Sequence, residues 1–91
     1  MEKVVKVKVY YLPELDTLDL WLDDPEKEEI AEPLGDNIVL KLDRKGEIIG
    51  VEIISLRNLI REDTAKLPKQ VRSQVKETLK KIAISINKAI P

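Results

Sequence analysis

Ninety-one residues make one domain at most, and a chain this short buries only about 60 to 65% of the surface its unfolded form exposes. It has no histidine, cysteine or phenylalanine, one methionine and 36% charged residues. The thiol nucleophile, imidazole base, soft metal ligands and haem axial ligands are therefore missing, and the expectation is a non-enzymatic protein with no cofactor and no metal. The net charge of −1 conceals a division: residues 1–56 hold 14 acidic and 7 basic side chains, and residues 57–91 hold 3 and 9, balances of −7 and +6. Such a division suits a basic segment folding back on an acidic body, self-association, or a basic arm for nucleic acid.

From Val5 to Tyr11 valine alternates with lysine, so Val5, Val7, Val9 and Tyr11 share one face of a first strand and Lys6 and Lys8 the other. Leu12 to Asp16 forms a tight connection in which Pro13 presets its own backbone angle and Asp16 is placed to bond nearby amides. Thr17 to Leu22 alternates again, with Leu18, Leu20 and Leu22 inward and Asp19 and Trp21 on the reverse face. The two strands form a hairpin.

Asp23 to Asp36 gathers Asp23, Asp24, Glu26, Glu28, Glu29, Glu32 and Asp36 with two prolines and a glycine, which reads as an exposed acidic connection. Ile30 between charged neighbours leaves Glu28 to Glu32 open between loop and short edge strand. Asn37 to Asp43 resumes alternation through Ile38, Leu40 and Leu42. Asp43 to Gly46 then supplies a type I turn closed by a glycine able to take a positive φ. Glu47 to Ile54 completes a second hairpin, with Ile49, Val51 and Ile53 expected on one face.

Leu56, Leu59 and Ile60 have the spacing of a helical turn, and Pro68 suits the start of a helix. Val71, Val75, Leu79, Ile82, Ile86 and Ala89 follow at helical spacing, nearly heptad in the second half. The expected fold is α+β: one domain over residues 1–91, a four-stranded antiparallel meander over the acidic residues 1–56, and a basic C-terminal helical segment over 57–91 packed on or beside the sheet.

Two motifs on these strands resemble a known family. Tyr11, Pro13, Glu14, Asp16, Leu18 and Leu20 match a pattern of tyrosine, aspartate, proline, glutamate, small residue, aspartate, small residue, leucine, tyrosine and isoleucine. Leu12 and Asp19 depart from its aspartate and tyrosine. Asp43, Gly46, Gly50, Val51, Glu52 and Ile53 match a second signature. Together, over residues 5–56, they resemble the small proteins called domain of unknown function 2283. That resemblance implies no established catalytic residue. Its members are discussed as antitoxins beside small ribonuclease-like toxins, which implies a protein-binding neutraliser.

Glu14, Asp16 and Asp19 are the residues from which a carboxylate site for acid-base work or a hard metal would be built, but a turn followed by an alternating strand scatters them. Asp16 is read as a cap of its turn. Trp21 and Tyr10, on the reverse face near Lys6 and Lys8, imitate a base-stacking platform, and a cover by the Leu56, Leu59 and Ile60 turn or by a second subunit is the preferred reading. Partner binding is assigned to Asp23, Asp24, Glu26, Glu28 and Glu29, facing a small basic toxin. Self-association as a homodimer is assigned to Val75, Leu79, Ile82 and Ile86. Nucleic-acid binding by Lys66, Lys69, Arg72, Lys76, Lys80, Lys81 and Lys88 is the alternative. With no apolar run near the roughly eighteen residues of a membrane span and no secretion signal or cysteine, a cytoplasmic protein is expected. Lysine and glutamate in excess over asparagine and glutamine suit a thermophilic source.

Overall fold

Five strands form, four of them on period-two alternation of apolar residues: β1 (Lys8–Leu12), β2 (Thr17–Trp21), β3 (Ile30–Pro33), β4 (Ile38–Leu42) and β5 (Ile48–Ile53), of which β3 lacks that alternation. Helical periodicity builds α1 (Arg61–Ala65) and the long α2 (Lys69–Ala89). The structure, a computed structural model, describes the backbone of residues 7–89 and the side-chain surroundings of residues 7–81.

The sheet is antiparallel with strand order β1-β2-β5-β4-β3. The four-stranded meander expected from the sequence is thus corrected to five strands, with Ile30–Pro33 at the far edge. The chain does not simply meander, because after β2 it passes β5 and β4 before forming β3. β3 was ambiguous because all four of its residues are exposed, so burial left no alternation in its composition. Backbone pairing with β4, from Ile30 opposite Leu42 to Pro33 opposite Val39, defines it instead.

Gly46 takes φ +82 and closes the β4–β5 turn. Asp43 Oδ1 there accepts from the amides of Lys45 and Glu47, both at 2.9 Å. Immediately beyond, the register slips: Lys41 faces Gly50 but Leu42 faces Ile48, leaving Ile49 as the extra residue of a bulge. The bulge corrects the expected alignment of Ile49 with Val51 and Ile53. Ile48 joins the hydrophobic cluster beneath the helix, whereas Ile49 is buried outside it. The Ile49 carbonyl accepts from Leu22 N at 2.8 Å and Asp23 N at 3.3 Å, so the bulge anchors the chain as it leaves β2.

Leu18, Leu20, Ile38, Leu40, Val51 and Ile53 form the core face of the sheet, covered by Leu67, Val71 and Val75. Leu56, Leu59 and Leu79 pack on the same cluster. The opposite face carries two rows: Lys8, Trp21, Gly50, Lys41 and Ala31, then Tyr10, Asp19, Glu52, Val39 and Pro33. On this face Gly50 gives the Trp21 ring room, since a Cβ built there would lie 2.7 Å from Trp21 Cε3 and 3.2 Å from Lys41 Cβ. Gly50→Ala is expected to destabilise the fold by about 1 to 3 kcal/mol, as overpacking does. Urea unfolding would show a lowered midpoint with unchanged slope, and the same substitution in a Trp21→Leu background should be nearly neutral.

Candidate functional site

Asp16 ends the four-residue connection between β1 and β2. Leu15 N donates to the Leu12 carbonyl and Asp16 N to that of Pro13, and Asp16 then takes φ +58 to return the chain into β2. Aspartate tolerates this left-handed conformation better than most residues. Its carboxylate does not cap the amides of its own turn. Oδ2 accepts from Arg57 N at 2.7 Å and Ser55 Oγ at 3.4 Å, Oδ1 accepts from the Tyr11 hydroxyl at 2.8 Å, and Arg57 Nε stands 3.4 Å away. The Asp16 carbonyl also accepts from Leu56 N at 2.8 Å. The Arg57 amide, then the Tyr11 hydroxyl, hold the Asp16 carboxyl below the usual aspartate range, and the bond to Asp16 pushes the Tyr11 phenol up.

The carboxylates considered for catalysis or metal binding therefore diverge. Glu14 is exposed in the turn, Asp16 faces residues 55–57, and Asp19 lies on the opposite sheet face between Tyr10 and Glu52. Burial, then the Glu52 charge directly across, push Asp19 up, and Lys41 opposes them. Among the described residues no three metal-ligating side chains come together.

The acidic crossover from β2 to β3 runs along the end of the sheet, and a 3-10 turn over Pro25–Lys27 packs against β5. Asp24 caps that turn through Glu26 N at 3.0 Å, and Asp23 pairs with Lys27 at 3.3 Å. Glu28 reaches Lys41 at 3.7 Å, which also pairs with Glu52 at 3.5 Å. Glu29 N donates to the Leu42 carbonyl. All five assigned acids are exposed. The carboxylates of Glu26 and Glu29 have no side-chain partner among the described residues. A groove of about 440 Å³ separates Asp23, Lys27 and Glu29 from Asp43, Lys45 and Glu47.

Of the residues assigned to self-association, Val75 is 1% exposed and packs on the sheet with Leu79. Val75 is thus occupied within the chain, while Leu79 stays half-buried. The side chains of Ile82 and Ile86 lie outside the described residues. Of the two covers expected for Trp21 and Tyr10, the one by the Leu56, Leu59 and Ile60 turn is corrected: Leu56 and Leu59 pack on the helix-covered cluster, and Ile60 is 56% exposed. On α2, Lys69, Lys76, Lys80 and Lys81 are exposed, as is Lys66 before it, whereas Arg72 is half-buried. Lys88 falls outside the described side chains. Among the described residues no helix is long and apolar enough to cross a membrane.

A family model described as Protein of unknown function (DUF2283) matches residues 8–57. The chain belongs to that family. The DUF2283 match begins with β1 and ends at Arg57, whose amide closes the contact with Asp16. No curated protein and no solved structure matches the chain. The DUF2283 motif residues Tyr11, Asp16, Asp43, Gly46 and Gly50 form turns, strand joints and a close approach in this member. Sequence reasoning placed Asp16 in its turn but missed Arg57 and Ser55, because contacts 41 and 39 residues away leave no local signal.

Because folding lowers the pKa of Asp16, its contribution to stability is present above the unfolded value of about 3.9 and is lost as pH falls through the folded one. Asp16→Asn, which keeps the left-handed turn accessible, should remove that portion of the acid-induced loss. Denaturant titrations between neutral and strongly acid pH would show a shallower decline than in the unmodified chain.

Proposed function

We propose that this chain is a non-enzymatic interaction module of antitoxin type, which neutralises a small basic, ribonuclease-like protein by seating it on the acidic crossover. The observation that carries this reading is the display of Asp23, Asp24, Glu26, Glu28 and Glu29 along one end of the sheet, all exposed. Residues 23–36 hold seven acids against Lys27 alone. A protein that grips phosphates presents basic side chains at its working surface. A row of carboxylates on a braced loop offers those side chains comparable charge and accelerates encounter by steering. The crossover needs little ordering on binding, since the Ile49 and Leu42 carbonyls and the Asp24 cap already hold it. The missing histidine and cysteine and the divergent carboxylates favour binding over catalysis.

The exposed lysines of α2 favour a second reading, nucleic-acid binding through that helix. Titration of labelled single- and double-stranded nucleic acid at about 0.15 M salt separates the two. Sub-micromolar affinity that falls steeply with salt would replace the protein-partner reading.

The direct test is co-purification of the full chain from its native cell, with identification of what travels with it. A small basic protein is expected. Glu26→Lys with Glu29→Lys should weaken its binding at least about tenfold, mainly through slower association. A partner indifferent to both substitutions would exclude the crossover as the docking site.

A further inference from the structure

We infer that the chain dimerises along the outer edge of β1, pairing that strand antiparallel with the β1 of a second copy so that two five-stranded sheets continue as one. The inference is independent of what the acidic crossover binds.

Strand order leaves β1 and β3 at the two edges. Leu22 donates its amide to the Ile49 carbonyl on β5. By antiparallel alternation, Leu18 and Leu20 also direct their backbone groups to β5, while Thr17, Asp19 and Trp21 direct theirs to β1. Their partners on β1 are Leu12, Tyr10 and Lys8. Val9 and Tyr11 therefore turn their N–H and C=O groups outward, and among the described residues no strand meets them. The apolar side chains gather on the same edge and its turn: Val9 is 41%, Tyr10 54%, Leu12 46% and Leu15 69% exposed.

The two edges are not equivalent. β3 ends in Pro33, carries Glu32 and follows the acidic crossover, features that discourage pairing. β1 has no proline and one charge, Lys8, at its end. A two-fold axis through Tyr10 pairs every residue of Lys8–Leu12. Tyr10 meets Tyr10 of the second copy, Val9 meets Tyr11, and Lys8 meets Leu12, whose side chain packs along the lysine stem. Shifting the axis to Val9 leaves Leu12 outside the pairing of these five residues. Shifting it to Lys8 opposes two lysines. In the Tyr10 register the strand is its own complement, as an isologous interface requires. Val9 is exposed although it lies on the helix-covered face, and Tyr11 of the second copy would stand beside it.

Because the chain contains no cysteine, Tyr10→Cys introduces a single thiol. In a non-hydrogen-bonded antiparallel pair opposed Cβ atoms lie about 4.5 to 5.5 Å apart, within small adjustment of disulfide geometry. Mild oxidation at micromolar concentration should convert this variant to a covalent dimer. Lys8→Cys alone should form no covalent dimer, whereas Lys8→Cys mixed with Leu12→Cys should give the crosslinked heterodimer. Val9→Pro removes an outward amide without breaking the β1–β2 ladder, so it should lose the two-chain mass in sedimentation while keeping the folded circular dichroism spectrum. One-chain mass for the unmodified protein up to hundreds of micromolar would overturn the inference. Crosslinking of Lys8→Cys as efficient as that of Tyr10→Cys would overturn it as well.

Discussion

Asp16 closes the first hairpin and simultaneously holds the amide of Arg57, just past the last strand. Its position explains how the central pairing of the sheet is kept. β2 must find β5, with Leu18 opposite Ile53, and the intervening chain makes that pairing non-local and entropically unfavourable to close. The Asp16 carboxylate and carbonyl together engage residues 55–57, immediately beyond the β2–β5 ladder, so a slip of either strand would break them. Asn37 supports the same segment from the other side. Its amide group donates to the Ser55 carbonyl at 2.8 Å and accepts from Ser55 N at 2.9 Å. Between them Asp16 and Asn37 satisfy the backbone where the chain leaves the sheet for the helices, a place with no ladder to do so.

That departure determines how the surfaces divide. Leu56, Leu59, Leu67, Val71 and Val75 are all drawn onto one face of the sheet, leaving Trp21, Tyr10, Lys41, Asp19 and Glu52 on the other. Asp19 and Glu52 oppose each other directly, an unfavourable pairing that Lys41 offsets through Glu52. The acidic crossover lies at the end of the sheet and the exposed lysines lie on the helix. Screening over about 8 Å at physiological salt allows two surfaces of opposite sign to act separately on one small domain. A basic partner and a second copy can then use different parts of the molecule.

Four strands, both hairpin turns and the long helix were legible in the sequence because each is a local pattern: alternation from Val7 to Tyr11, the Asp43 to Gly46 turn, and the Val71, Val75, Leu79 stripe. The family motifs were legible for the same reason, being short and ordered along the chain. The acidic crossover was visible as composition, although only the fold arranged it along the sheet end and divided its carboxylates between internal pairs and solvent.

What tertiary structure alone decided has a common physical origin in contacts between residues distant in sequence. β3 became a strand through its backbone ladder to β4, without a buried face to mark it. The bulge at Ile49 exchanged the surroundings of Ile48 and Ile49, because one extra residue reverses the alternation that follows. Gly50 was required by the Trp21 ring from another strand, and Asp16 answered to Arg57 and not to its own turn. The sequence by itself determined four of the five strands, the long helix and where the charge resides. The order of the strands, the face that receives the helix and the edge left open depended on the non-local β2–β5 pairing, which no local periodicity encodes.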